Sequence, residues 1–395
     1  MKKVLFVINS LTIGGSEKSL VSLLNLLNYS KYEVDLLMIR KGGEFEKYIP
    51  CQVNILKELD YYRYLVNHKD SEGFIKKSKF KFFRIKTSIN LRKNIRQAKP
   101  LHTEQILYKS HSSLLENMRK EYDIAIAYSQ GLPTYFVADK VKAKKKYAWI
   151  NCDYETTMYD KQYDEQYYAK YDKVVVVSNS IKESIIRIKP NYESKLEVIL
   201  DVVDSKLIQT MAEEKKPFED KTSINILTVA RLVIVHKGYD TAIKAAKLLK
   251  DNECNFKWFV IGDGPDKEKM NKIILENGLE NHFILLGEKA NPYPYMKNCD
   301  IYVQPSKKEG FGLTVVEAKI LKRPIVCTNF NTAKEIIKNE VDGLVVDQTP
   351  KALFTGIQRY LKDKTCINLI LTNLNLIGTY NSISEIEKIN ILLKQ

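Results

Sequence analysis

Two carboxylates bracket a glycine turn in "KKEGFGLTVVEAKILKRPIV" (307–326). Glu309 precedes Gly310, Phe311 and Gly312, and Glu317 follows it by eight residues. The apolar "CDIYVQPS" (299–306) ahead of them reads as a strand, and from Leu313 and Thr314 the pattern turns helical. A strand end, a tight turn and a helix start offer backbone N–H groups to an anion. A phosphate there would have a carboxylate on each side. Carboxylates accept hydrogen bonds from sugar and ribose hydroxyls, so the arrangement suits a sugar nucleotide. Taken singly, each has a plainer account: Glu309 as a solvated loop charge, Glu317 as a first-turn glutamate favoured by the helix dipole.

Other phosphate-facing parts stand upstream. "VARLVIVHKGYD" (229–240) leaves a strand carrying Arg231 and then Lys237. Two cations beyond a strand's C-terminal end fit a diphosphate; a surface Arg and a helix-flanking Lys would look the same on spacing alone. "GDGPDK" (262–267) places Gly262 and Gly264 in another turn beyond a strand. "IGGSEKS" (13–19) places Gly14 and Gly15 at a helix start. None of these is a G-x-G-x-x-G fingerprint or a Walker A loop.

The elements that must hold these residues alternate between strand and helix. "KVLFVI" (3–8), "YEVDLLMIR" (32–40), "YDIAIAYS" (122–129), "KKYAWIN" (145–151) and "YDKVVVVSNSIKESIIR" (171–187) form one series. A second series begins at "INILTVA" (224–230) and runs through "FKWFVIGDG" (256–264), "HFILLGE" (282–288), "CDIYVQPS", "RPIVCTN" (323–329) and "DGLVVD" (342–347). Two such series predict two doubly wound, Rossmann-like α/β domains, over 1–205 and 222–378. The polar stretch 204–223 is the expected joint, and "SISEIEKINILLK" (382–394) an expected terminal helix within 379–395, after a break at 378–381.

The chain has 395 residues and a formal net charge of +15. Such a surplus points to an anionic partner: nucleic acid, a phosphorylated small molecule or an anionic membrane. Six cysteines show no C-x-x-C pair and no zinc spacing, which predicts reduced thiols and a reducing compartment. The N-terminal apolar run is too short for a signal peptide, and no run is long enough to span a membrane. A cytoplasmic protein is expected. The insertion 60–120 differs from the rest. Within it, "GFIKKSKFKFFRIKTSINLRKNIRQAK" (73–99) interleaves Phe74, Phe80, Phe82 and Phe83 with Lys and Arg and has no acidic residue. The segment predicts docking on an anionic membrane, against the alternative of a solvated helical face with core phenylalanines. No nucleic-acid-binding module accompanies the charge.

The segment 224–346 resembles the donor-binding domain of the family 4 glycosyltransferases, retaining enzymes of the GT-B fold. "EGFGLTVVEA" is similar to that family's E-x7-E signature, "ARL…KGYD" to its Arg/Lys phosphate clamp, "GDGP" to its nucleotide turn and "INSLTIGGSEKSLVSLL" to its N-terminal glycine loop. The resemblance implies two Rossmann-like domains facing a cleft, with a C-terminal helix crossing back. It implies that Arg231 and Lys237 hold the donor diphosphate, Glu309 the transferred sugar and Glu317 the ribose. The amides from Gly310 to Thr314, and those at Gly14 and Gly15, would close over the phosphates. The donor is then a nucleotide-diphosphate sugar, UDP-linked before GDP-linked, and the acceptor a polyprenyl-linked or other glycan in surface-polysaccharide synthesis at the inner face of the plasma membrane. No catalytic metal or cofactor is implied. One position departs: where relatives read Trp-Ile-His, this chain has Asn151, followed by Cys152 and Asp153. Asn151 can still bond a sugar but carries no proton charge. Asp153 either contacts sugar or caps the next helix. The other class of function implied is a non-catalytic GT-B subunit that binds nucleotide and supports a partner enzyme.

Overall fold

The computed structural model describes residues 1–66, 73–97, 99–155, 157–214, 217–218, 222–376 and 382–394. The expected break at 378–381 lies outside them, as does part of the expected joint. The chain divides into two compact units, Met1–Val202 with Ile383–Gln395, and Val203–Ser382.

The first unit is built on seven strands: β1 (Lys2–Ile8), β2 (Tyr32–Met38), β3 (Asn54–Ile55), β4 (Tyr122–Ala127), β5 (Ala143–Ile150), β6 (Lys173–Val176) and β7 (Leu196–Val198). Their order is β3-β2-β1-β4-β5-β6-β7, all parallel. Helices connect successive parallel strands and cover the faces of such a sheet. Its strands therefore read as near-continuous apolar runs. Val4 to Ile8 are all buried. The order reverses between β1 and β4, which makes the carboxyl ends of those two strands the switch point where open sheets of this kind bind ligands. The terminal helix Ile383–Lys394 belongs to this unit. Lys2 Nζ donates to the carbonyls of Leu393 (3.1 Å) and Lys394 (2.7 Å), two of the acceptors a helix end leaves unserved. Tyr147 OH donates to Leu392 O at 3.1 Å, and Glu385 accepts from the Leu200 amide at 2.8 Å.

The second unit holds β8 (Ile224–Val229), β9 (Phe256–Ile261), β10 (Phe283–Leu285), β11 (Ile301–Gln304), β12 (Ile325–Thr328) and β13 (Leu344–Val346). The order is β10-β9-β8-β11-β12-β13, again parallel, with its switch point between β8 and β11. The expected joint is not featureless. A helix spans Ser205–Ala212, capped by Asp204, whose side chain accepts from the Lys206 and Leu207 amides. It buries Ile208, Met211 and Ala212, an apolar face too short to show through the polar composition.

Cys299, Cys327 and Cys366 are buried, Cys152 and Cys254 partly so and Cys51 exposed; all six are free thiols. Among the described residues no helix is long and apolar enough to cross a membrane.

The basic segment forms the helix Phe74–Ile95. Phe80, Thr87 and Asn94 recur every seventh residue and are buried. Phe80 packs edge-on to Tyr61 at 5.4 Å, and Asn94 exchanges two hydrogen bonds with the Leu101 backbone. The expectation that all four phenylalanines are available to a membrane is therefore corrected. Phe80 is core and Phe83 half-buried, while Phe74 and Phe82 are exposed together with Ile75, Ile85 and Ile89.

Candidate active site

In the second unit the expected residues gather at the switch point. Lys237 ends the one-turn helix Ile234–Lys237 that follows β8, and Glu309 lies in the loop after β11. Gly238 brings the two loops together. Its backbone is left-handed (φ 65°), and a Cβ there would lie 1.9 Å from the Pro305 carbonyl oxygen. Only glycine meets both demands at no cost. Across this approach Lys237 Nζ donates to Glu309 Oε2 at 2.6 Å.

The other oxygen of Glu309 is held from beneath. Ser306 Oγ donates to Oε1 at 2.6 Å and Gln304 Nε2 at 3.0 Å. Gln304 in turn accepts from Tyr302 OH (2.7 Å) and Thr314 Oγ1 (3.2 Å). Asn331 pins the Glu309 backbone, accepting from its N–H at 2.9 Å and donating to its carbonyl at 2.8 Å. The carboxylate is thus fixed in one orientation, with Oε2 on the lysine side. A side chain locked this way loses little entropy when a ligand engages it.

Glu317 is placed differently. It lies in the second turn of the helix Leu313–Ile320, so the first-turn account of it is corrected. Its residue is 1% exposed, against 11% for the Glu309 side chain, and Tyr293 OH donates to its Oε1 at 2.9 Å. Gly312, with φ 102°, is the N-cap of that helix and offers no side chain. Phe311 and Leu313 are buried. The Val315 amide donates to the Gly312 carbonyl at 2.9 Å, so Leu313 and Thr314 are the first-turn amides that stand ahead of the helix's own ladder. Arg231 is exposed just beyond β8 and joins neither Lys237 nor Glu309. The "GDGPD" turn braces its loop. A Cβ at Gly262 or Gly264 would fall 2.1 Å from Ala230 O or 2.4 Å from Leu232 O, and Asp266 accepts from the Ile234 amide at 2.8 Å.

Gln304, Ser306 and Asn331 escaped the sequence reading. One signal was present: Gln304 is a polar residue ending a strand whose four residues are all buried. Buried polar side chains are kept for a partner.

In the first unit, Gly14 caps the helix Gly15–Leu26. The helix start already faces a carboxylate. Glu17 folds back so that a Cβ on Gly14 would meet its Oε2 at 2.2 Å, and Ser16 Oγ donates to that oxygen at 2.8 Å. An anion arriving at this turn meets Glu17. Asp201, past β7, adds a second carboxyl. It is buried, and its Oδ1 has no hydrogen-bond partner. Burial pushes its pKa up to about 7; the Ser19 hydroxyl opposes the rise and the charge on Glu17 adds to it. A carboxyl whose pKa is raised on folding contributes stability at low pH and loses it as pH climbs through the folded value. Asp201→Asn should therefore raise the unfolding temperature at pH 8, by the equivalent of at most about 4 kcal/mol. The gap should close as pH falls from 7 to 4. A pH-independent gap in melting curves would contradict this.

Asn151 follows β5. Its Nδ2 donates to Tyr128 O at 2.9 Å, its N–H donates to Gln130 Oε1 at 3.1 Å, and its Oδ1 is buried without a partner. Asp153 accepts from the Glu155 amide at 3.1 Å. It does not cap the next helix, Lys161–Tyr168; Asp160 does, accepting from the Gln162 and Tyr163 amides.

Residues 210–371 match the family model described as "Glycosyl transferases group 1". Over 92% of its length the chain is 27% identical to N-acetylgalactosamine-N,N'-diacetylbacillosaminyl-diphospho-undecaprenol 4-alpha-N-acetylgalactosaminyltransferase of Campylobacter jejuni, covering 91% of that protein. It is 31% identical to the same organism's N,N'-diacetylbacillosaminyl-diphospho-undecaprenol alpha-1,3-N-acetylgalactosaminyltransferase, over 40% of this chain and 42% of that one. Among solved structures it is similar to Anabaena HepE in complex with UDP and glucose, with a TM-score of 0.71, full coverage of both chains and 16% identity. The fold is that of the GT-B glycosyltransferases. The stretch holding Arg231, Lys237, Glu309 and Glu317 is thus a glycosyl transferases group 1 domain, in a chain similar along most of its length to a bacterial glycosyltransferase of lipid-linked glycans.

Proposed function

We propose that this chain is a retaining glycosyltransferase that moves a sugar from a nucleotide diphosphate, UDP before GDP, to a polyprenyl-diphosphate-linked glycan in surface-polysaccharide synthesis. The observation that carries the proposal is the Lys237–Glu309 pair, held across the switch point of the second unit within the matched domain. Breaking a bond from sugar to diphosphate builds positive charge on the sugar and negative charge on the leaving group. Lys237, held by Glu309, and the first-turn amides of Leu313 and Thr314 supply preorganised positive charge for that leaving group, and the exposed Arg231 beyond β8 adds a second cation as the donor binds. Glu309 accepts hydroxyls of the transferred sugar, and Glu317 serves the ribose. With the cationic work done by side chains and amides, the proposal calls for no metal ion. The lipid-linked acceptor is supported by the substrates named for the two Campylobacter proteins.

The same reading places the protein at the cytoplasmic face of the membrane, docked through the outward face of the helix Phe74–Ile95. That helix carries eight Lys or Arg and no acidic residue.

The test is a thermal-shift panel of UDP-, GDP- and ADP-sugars on wild type and Lys237→Ala. A ligand at about 100 times its dissociation constant adds roughly 2.7 kcal/mol. One nucleotide class should stabilise wild type and not the variant, and the transferred sugar should keep its anomeric configuration in NMR of the product. Absence of any shift would sink the donor reading. A non-catalytic subunit, which Asn151 in place of the family histidine favours, would bind nucleotide yet give no product.

A further inference from the structure

To serve a ribose, Glu317 must do more than carry charge: its oxygens must face the hydroxyls. Glu317 is 1% exposed and lies one turn behind the amides of Leu313 and Thr314. That is about 5 Å along the helix axis. A buried carboxylate is costly to keep for packing alone, because an apolar side chain of similar size would fill the same space. What holds this carboxylate in its orientation therefore bears on what it can recognise.

Tyr293 OH donates to Glu317 Oε1 at 2.9 Å, and both residues are buried. The tyrosine opens the short helix Tyr293–Asn298, between Pro292 and Pro294, whose rings lock their own φ. Its amide donates to Asn291 Oδ1 at 3.1 Å. Asn291 Nδ2 donates in turn to Met211 O at 2.8 Å and to Glu214 Oε2 at 2.9 Å, at the end of the helix Ser205–Ala212. Lys297, one turn beyond Tyr293, pairs with Glu213. A hydroxyl on a buried ring, carried by a backbone braced in this way, sets the plane of the carboxylate before any ligand arrives. A group ordered in advance loses little entropy on binding. The plainer role for the same bond is adhesion between two helices, and the two roles differ in what they do to ligand choice.

We infer that Tyr293 is a positioning residue for nucleotide selection: its hydroxyl orients the Glu317 carboxylate to accept from a ribose 2′- or 3′-hydroxyl, so that the domain takes ribonucleoside diphosphates over their deoxy counterparts. Asn291 acts one step further out, by holding the tyrosine. That role rests on the glycosyltransferase proposal, which makes the ligand of this domain a nucleotide and gives Glu317 the ribose.

The test is titration calorimetry of UDP and GDP, each beside its 2′-deoxy and 3′-deoxy forms, on full-length wild type, Tyr293→Phe, Asn291→Ala and Glu317→Gln. Wild type should bind one ribonucleotide at least about tenfold more tightly than one of its deoxy forms, the worth of a hydrogen bond to a charged group. In Tyr293→Phe that ratio should shrink to about threefold or less, with the affinity of the deoxy form unchanged. Lost adhesion alone would weaken the ribo and deoxy forms alike and leave the ratio where it was. Adding Tyr293→Phe to Glu317→Gln should change the ratio no further. Should Tyr293→Phe fail to fold, Asn291→Ala decides: the side chain is partly exposed, and its loss should narrow the same ratio. A ratio equal in wild type and the variants, or near one in wild type, would overturn the inference and leave the donor proposal standing. No nucleotide bound by wild type would sink both.

Discussion

Glu309→Gln is expected to lower the rate of sugar transfer by about 10²–10³-fold, the cost of one preorganised charged contact to the transition state. The donor KM should change little, because the loss falls on charge that develops during reaction. The local geometry sharpens the expectation. Oε1 keeps its donors, Ser306 and Gln304, on substitution. The new amide nitrogen then takes the place of Oε2 and faces Lys237 Nζ, donor against donor. Lys237→Ala should behave otherwise: it removes a cation from the donor diphosphate, so it should raise the donor KM as well as lower kcat. The two changes share one ion pair, so the double variant should lose much less than the product of the single losses. Strict multiplicativity in steady-state kinetics would separate Lys237 and Glu309 into independent roles and contradict the geometry.

Much of this arrangement was legible before the structure, and the reasons are local. β1, β4 and the second half of β5 show as apolar runs because they are buried in a parallel sheet. Glu309 and Lys237 stand out because a glycine turn and a strand end leave marks within a few residues. β3 and β7 do not show, being two and three residues long and without alternation. The Ser205–Ala212 helix was hidden because its apolar face is three residues in a polar stretch. The supports of Glu309 were missed for a different reason. Asn331 reaches it from 22 residues away, and nothing in "NFNTA" announces that contact. Glu104, in the helix Thr103–His111, is the extreme case: Asn9 Nδ2 and the Leu132 amide, 95 and 28 residues distant, donate to its carboxylate only because the sheet brings β1 and β4 side by side.

Reversing Lys79, Lys81, Lys86 and Lys93 to glutamate is expected to abolish binding to anionic vesicles, a fall of about 10³-fold or more. Each basic residue near an acidic bilayer contributes about 1 kcal/mol, and each reversal also adds repulsion. All four are exposed. At 3.6 residues per turn the buried Phe80, Thr87 and Asn94 share one face, and Ile75, Phe82, Ile85 and Ile89 lie roughly opposite. Phe82 is 62% exposed. Lys79, Lys86 and Lys93 run along one flank of that apolar stripe, and Lys81 with Arg92 along the other. An apolar stripe bordered by cations on both sides matches an acidic interface better than a protein groove, which would place some counter-charge among them. The apolar part is separable. Phe82→Ser with Ile85→Ser should weaken binding to anionic vesicles by removing apolar area, while leaving its salt dependence unchanged. Neither change touches Phe80 or Asn94, so melting temperatures should hold. Flotation with vesicles of phosphatidylglycerol and phosphatidylcholine reads both effects. Undiminished flotation of the charge-reversed protein would leave the +15 surplus to some other anionic partner.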